Sequence, residues 1–100
     1  MRKSFEKVYE LVCKIPEGKV TTYGAIAKSL SMSPRIVGHV LHLNPNGAET
    51  PCHRVVNRNG RLAPTFAFGG LDEQRKRLEA EGIKFKGQQR LDLKKYLFEL

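Results

Sequence analysis

Short amphipathic helices broken by turn residues, with only stubs of β-favouring residues between them, predict a mainly α fold with short β elements. Two of the helices are joined by about three residues, the spacing of a helix-turn-helix. No repeat, low-complexity tract or linker interrupts the 100 residues, so a single domain over 1–100 is expected.

Ser4 is placed to cap a first helix whose buried face carries Phe5, Val8, Tyr9, Val12 and Ile15 at i, i+3, i+4, i+7 spacing. Pro16-Glu17-Gly18 stops it. Val20-Thr21 is a short β-favouring stub, and Thr22 can cap a second helix over 23–30. Its small residues Gly24, Ala25 and Ala27 permit close packing. Ser33 caps the third helix and Pro34 takes its first position, where a missing N–H does no harm. Ile36, Val37, Val40, Leu41 and Leu43 give that helix its apolar side, and Asn44-Pro45-Asn46-Gly47 ends it.

Val55-Val56 reads as a buried strand, Asn57-Arg58-Asn59-Gly60 as a turn and Arg61-Leu62 as a short return. With the helix pair, these stubs give the domain a winged-helix-like form. Residues 63–70 read as a loop, 71–81 as a charged helix stopped by Gly82, and Ile83–Lys86 as an edge strand. Leu91 and Leu93 alternate likewise, and Tyr96, Leu97 and Phe98 give the tail something to dock.

Charge narrows the partners. Eighteen basic and ten acidic residues give +8. The excess is local: between Gly18 and Leu62, Lys19, Lys28, Arg35, Arg54, Arg58 and Arg61 stand against Glu49 alone. A localised cationic stretch points to a polyanion, nucleic acid first; a solvated basic surface is the plainer account. No apolar run reaches the roughly 18 residues of a membrane span, and the N-terminus has no signal-peptide pattern. A cytosolic or nucleoid-associated protein in a reducing compartment is expected, with no membrane partner and two cysteines that need not be paired.

Cys52 follows Pro51 and precedes His53 and Arg54. Positive charge beside a thiol favours the nucleophilic thiolate. A buried inert cysteine beside a histidine fits the dipeptide equally. Cys13, next to Val12 on the first helix, reads as packing. His39 and His42, i and i+3 on the third helix, read as solvated or nucleic-acid-facing. No paired CxxC supports zinc, so no metal or other cofactor is expected.

The motifs Ile15-Pro16-Glu17-Gly18-Lys19-Val20-Thr21-Thr22-Tyr23-Gly24-Ala25-Ile26-Ala27, Pro34-Arg35-Ile36-Val37-Gly38 with Asn44-Pro45, Pro51-Cys52-His53-Arg54-Val55-Val56 and Leu78-Glu79-Ala80-Glu81-Gly82 occur in order. Together they resemble the DNA-binding and active-site domain of the O6-alkylguanine-DNA alkyltransferases. The resemblance implies a monomer that binds double-stranded DNA containing O6-alkylguanine, flips the nucleotide, and transfers the alkyl group irreversibly to Cys52. It implies a relay of Cys52, a water, His53 and Glu81, with Tyr23 near the flipped base. It also implies DNA contacts by Thr22, Tyr23, Arg35, Gly38, Asn44 and Arg54. Arg35 matches the finger that fills the vacated stack, and Asn44 a brace of the active-site turn. Without DNA, Arg35 is a first-turn arginine slightly at odds with the helix dipole.

Two departures from the pattern keep a second reading open. The chain leaves no room for the N-terminal domain usual in full alkyltransferases, and in length it is similar to the alkyltransferase-like sensors. Those hand the lesion to nucleotide excision repair and usually carry tryptophan or alanine where this chain keeps Cys52. Ala67 and Phe68 stand where alkyltransferases commonly have a tyrosine and a small residue, which alters a wall of the implied guanine pocket. The alternatives are a single-turnover methyltransferase, a non-catalytic lesion sensor, and a plain DNA-binding module.

Overall fold

A computed structural model of the chain describes residues 2–43, 50–62, 70–87 and 90–100. Helix α1 spans Arg2–Cys13, strand β1 Thr21–Thr22, α2 Tyr23–Leu30 and α3 Pro34–His42. A 3₁₀ turn, Cys52–Arg54, leads into β2, Val55–Val56; then come α4, Gly70–Ala80, and the short α5, Leu93–Tyr96.

The three N-terminal helices pack on one another because each carries an apolar stripe at helical spacing. Val8, Val12, Ile15, Ile26, Ala27, Val37, Val40 and Leu41 are buried there together with Cys52 and Val55. Tyr9 ties α1 to α3 through its hydroxyl, which donates to the Val40 carbonyl at 2.7 Å. A second cluster, Val20, Val56, Leu62, Leu78, Ile83, Leu91 and Tyr96, supports the other side. β1 and β2 pair in parallel, Thr21 opposite Val55 and Thr22 opposite Val56. The tail continues this edge: Val20 bridges Leu97, and Phe98 N–H donates to the Val20 carbonyl at 2.7 Å.

The caps of the helix-turn-helix fall where the sequence puts them. Thr22 Oγ1 accepts from Ala25 N–H at 3.1 Å, and Ser33 Oγ from Arg35 N–H at 3.2 Å. Ser31 turns the chain between them with φ +55°.

Five expectations are corrected. α1 begins at Arg2, so Ser4 lies inside it; arginine and lysine are good helix formers and carry the helix past the potential cap. Cys13 is exposed rather than packed, on the outer side of a helix that turns its neighbour Val12 inward. Ile36 and Leu43 are 46% and 52% exposed, because the stripe that α3 buries is Val37, Val40 and Leu41. Leu93 opens α5 instead of extending a strand, since the Asp92 side chain caps the helix by accepting from Lys94 N–H at 3.1 Å. The edge strand expected at 83–86 is reduced to a bridge of Phe85 to Leu91, whereas the 61–62 segment does return, the Arg61 carbonyl accepting from Asn57 N–H at 2.8 Å while Arg61 also bridges Arg90. The 63–69 part of the expected loop lies outside the described residues.

Candidate active site and nucleic-acid interface

Pro51 fixes the entry to the 3₁₀ turn. Cys52 N–H donates to the Thr50 carbonyl at 2.8 Å and Arg54 N–H to the Pro51 carbonyl at 2.9 Å. The turn buries Cys52 to 5% exposure against the first core cluster. It also sends His53 and Arg54 toward α4, which ends one residue before Glu81.

Glu81 is the hub of the site. Its Oε2 lies 2.7 Å from His53 Nε2, and Arg54 donates to the same carboxylate through Nε at 2.9 and 3.1 Å and Nη2 at 2.8 Å. Gly18 N–H donates to Oε1 at 3.4 Å. Gly18 has φ +83°, a left-handed conformation that glycine adopts without steric cost. The site is drawn from three distant points of the chain: the turn after α1, the Cys52 turn and the end of α4. Side-chain exposure is 11% for both His53 and Glu81 and 13% for Arg54.

The electrostatics follow. Burial pushes the His53 pKa down, outweighing the opposing Glu81 interaction, and the imidazole is held neutral near pH 7. Burial alone would raise Glu81, but hydrogen bonds from Arg54 and His53 bring it below its ordinary value, so it stays ionised. With Nε2 directed at Glu81, His53 Nδ1 is buried and has no protein partner among the described residues. Burial, with the Cys52 charge adding to it, pushes Tyr23 up to about 12, so its phenol keeps its proton.

Gln74 is a member of the site that motif reading misses. It is fully buried on α4 and its Nε2 donates to the carbonyls of His53 and Val55 at 3.1 and 3.0 Å. Its signal is position: it stands four residues before Leu78, on the one stripe of a charged helix that faces inward.

Tyr23 opens α2 and packs on the cluster that contains Cys52. With Gly24, Pro34, Asn57, Arg58 and Asn59 it lines an open groove of about 340 Å³. Arg35 is exposed in the first turn of α3, and Gly38 is half-buried on the same helix. A Cβ built on Gly38 would meet Tyr23 Cε1 at 4.0 Å, an ordinary contact. Thr22 is half-buried and serves as the α2 cap.

Arg54, expected at the DNA surface, is engaged inside the fold. Its Nη1 donates to the Ile15 carbonyl at 2.7 Å and its other nitrogens to Glu81, so the guanidinium is committed to the fold. Asn44, Ala67 and Phe68 lie outside the described residues. Among those described, no group of three or more His, Cys, Asp or Glu side chains could hold a metal ion. Nor is any helix among them long and apolar enough to cross a membrane.

Residues 3–83 match the family described as 6-O-methylguanine DNA methyltransferase, DNA binding domain. The chain belongs to this family. Within it, the chain is 46% identical over 94 residues to the DNA base-flipping protein of Escherichia coli (strain K12), covering 91% of this chain and 70% of that protein. Alkyltransferase-like protein 1 of Schizosaccharomyces pombe is 38% identical and matches nearly end to end, over 99% of this chain and 97% of its own. A solved structure of that S. pombe protein, in complex with damaged DNA containing O6-carboxymethylguanine, superposes with a TM-score of 0.86 at 36% identity, covering 100% of this chain and 98% of that one. The methylated-DNA–protein-cysteine methyltransferase of Thermococcus kodakarensis is 42% identical over 80 residues, 79% of this chain but 44% of that protein. This member of the family is thus a helix-turn-helix-type domain with a cysteine, a neutral histidine and an ionised glutamate in one place.

Proposed function

We propose that this protein recognises O6-alkylguanine in duplex DNA, takes the damaged nucleotide out of the stack, and accepts its alkyl group on Cys52. The observation that carries the reading is the Cys52 turn, where a thiol is followed by a neutral imidazole held at 2.7 Å by an ionised carboxylate.

The target carbon is inaccessible inside a duplex, so the nucleotide must be extruded. Arg35, exposed at the start of α3, is the residue to occupy the vacated stack. Among the described residues, Gly38 faces no neighbour that demands the absence of a side chain. Its smallness therefore serves an outside surface, and a closely approaching DNA backbone fits. Thr22 presents the start of α2 to the same strand, and the groove beside Tyr23 lies next to it.

In the transfer, the Cys52 sulfur attacks the alkyl carbon and the carbon–O6 bond breaks. The thiol proton passes to His53, whose Nδ1 is the nitrogen not engaged by Glu81. Glu81 orients the ring and stabilises the imidazolium that forms. Guanine leaves with the bonding electron pair and takes a proton in return, eased by a hydrogen bond from the Tyr23 phenol. The product is a thioether on Cys52 and restored guanine, so each molecule reacts once.

A specific observation favours a second reading, the non-catalytic lesion sensor acting with nucleotide excision repair. The chain matches the S. pombe alkyltransferase-like protein over nearly its full length, but less than half of the T. kodakarensis methyltransferase. Both readings require preference for the lesion and place the protein with DNA, in the cytoplasm or nucleoid. The test of that shared part is competition binding with duplexes that differ only in one O6-methylguanine. Tighter binding to the lesion duplex is expected, and equal affinity would reject both.

A further inference from the structure

Beyond the helix-turn-helix, the surface carries a concentration of positive charge that the site above does not use. Arg61 and Arg90 face each other as partners of an antiparallel bridge. Like charges placed directly opposite on paired backbone segments repel. Both are exposed, and among the described residues neither has an acidic partner. With Lys86 and Gly87 they line an open groove of about 410 Å³. Lys86 and Arg90 also border an adjoining groove of about 350 Å³ with Asn59 and Lys94. Asp92 also lines the adjoining groove; its carboxylate lies 3.6 Å from Lys86 Nζ in a partly exposed pair and accepts from Lys94 N–H as the α5 cap.

Asn59 connects this region to the DNA-facing side. It lines both the groove holding Tyr23 and Pro34 and the groove holding Lys86 and Arg90. The 57–60 turn, with Arg58 exposed on it, therefore lies between the two. We infer that Arg61, Lys86 and Arg90 form a second phosphate-backbone site, which grips the duplex beside the stretch held by the helix-turn-helix. This second site rests on the DNA-binding function proposed above. An anion between Arg61 and Arg90 removes their repulsion, and a continuous track from Pro34 across Asn59 to Arg90 suits a polyanion better than a lone ion.

The test is a salt series of binding to an unmodified duplex and to its O6-methylguanine counterpart, with wild type and Arg61→Gln/Arg90→Gln. Neutralising one phosphate-bound cation lowers the slope of log affinity against log salt by about 0.9, so a drop of about 1.8 is expected for the pair. Affinity for both duplexes should fall by the same factor, leaving their ratio unchanged, and the melting temperature should stay level or rise. An unchanged slope overturns the site, as does a fall in melting temperature that marks the pair as structural. Displacement by millimolar inorganic phosphate with no change in slope also overturns it, in favour of a small-anion site. Lys86→Gln, outside the opposed pair, gives an independent reading with an expected drop in slope of about 0.9. If wild type fails to prefer the lesion, the lesion-recognition reading fails, while the slope on unmodified duplex still decides the second site.

Discussion

Glu81 performs two tasks with one carboxylate, and they separate by experiment. It holds the imidazole at 2.7 Å, and it neutralises Arg54, which in turn ties the Cys52 turn to the Ile15 carbonyl. Glu81→Gln keeps the shape but gives up the charge, so it is expected to slow alkyl transfer while leaving lesion affinity nearly unchanged. Lost affinity with an unchanged rate at saturation would assign Glu81 to the fold alone. Arg54→Gln breaks a mostly buried pair and is expected to cost about 3 kcal/mol of stability with no change in the salt slope of DNA binding. A lower slope at unchanged melting temperature would return Arg54 to the DNA surface. The pH dependence has a definite sign. The folded-state pKa values of His53 and Glu81 both lie below their unfolded values. The unfolded chain therefore binds protons first as pH falls, and stability is lost from about pH 6.5 downward. His53→Gln should flatten the upper part of that decline, measured as melting temperature against pH; an unchanged profile would show that His53 does not titrate with unfolding.

At the scale of elements, the helix-turn-helix is the most legible part. Thr22, Ser33 and Pro34 announce two helix starts by side-chain chemistry that acts within three residues, so no distant contact is needed to read them. The turn at Asn57–Gly60 is equally local: Gly60 has φ +78° and its N–H donates to the Asn57 carbonyl. A side chain there is excluded twice, since a Cβ would lie 2.3 Å from the Leu91 carbonyl oxygen. Gly60→Ala is expected to lower the melting temperature by several degrees, and a change within error would mean that the 91–93 segment yields freely. Pairing at a distance is what the sequence does not supply. The parallel match of Thr21 with Val55 and the inward turn of Arg54 depend on which segments meet. So does the seating of Gln74 under the Cys52 turn. Cys13 and Ile36 defy the helical pattern for a related reason: their helices have more apolar residues than one buried stripe can use. Gln74→Ala leaves two carbonyls without their donor and is expected to cost about 1–3 kcal/mol. Full stability in this variant, by chemical denaturation, would remove Gln74 from the support of the site.

Across the whole molecule, two apolar clusters hold the Cys52 turn between them: Val55 belongs to one and Val56 to the other. This arrangement fixes the thiol at a seam, with the helix-turn-helix on one side and α4 on the other. Of the cations in the middle of the chain, Arg58 borders the groove that holds Tyr23 and Pro34, and Asn59 beside it links that groove to the one bordered by Lys86 and Arg90. Arg35→Ala is expected to weaken lesion binding by about 1–3 kcal/mol with little effect on stability, because the residue is exposed. A stability loss of the same size would make it structural. The claim that the fold serves a reactive thiol is tested most directly by intact-mass measurement after incubation with excess O6-methylguanine duplex. The protein is expected to gain one methyl group in place of a hydrogen, Cys52→Ala to gain none, and Cys13→Ala still to gain one. An unchanged wild-type mass after prolonged incubation, with lesion binding intact, would contradict the claim and leave the lesion sensor as the function of this domain.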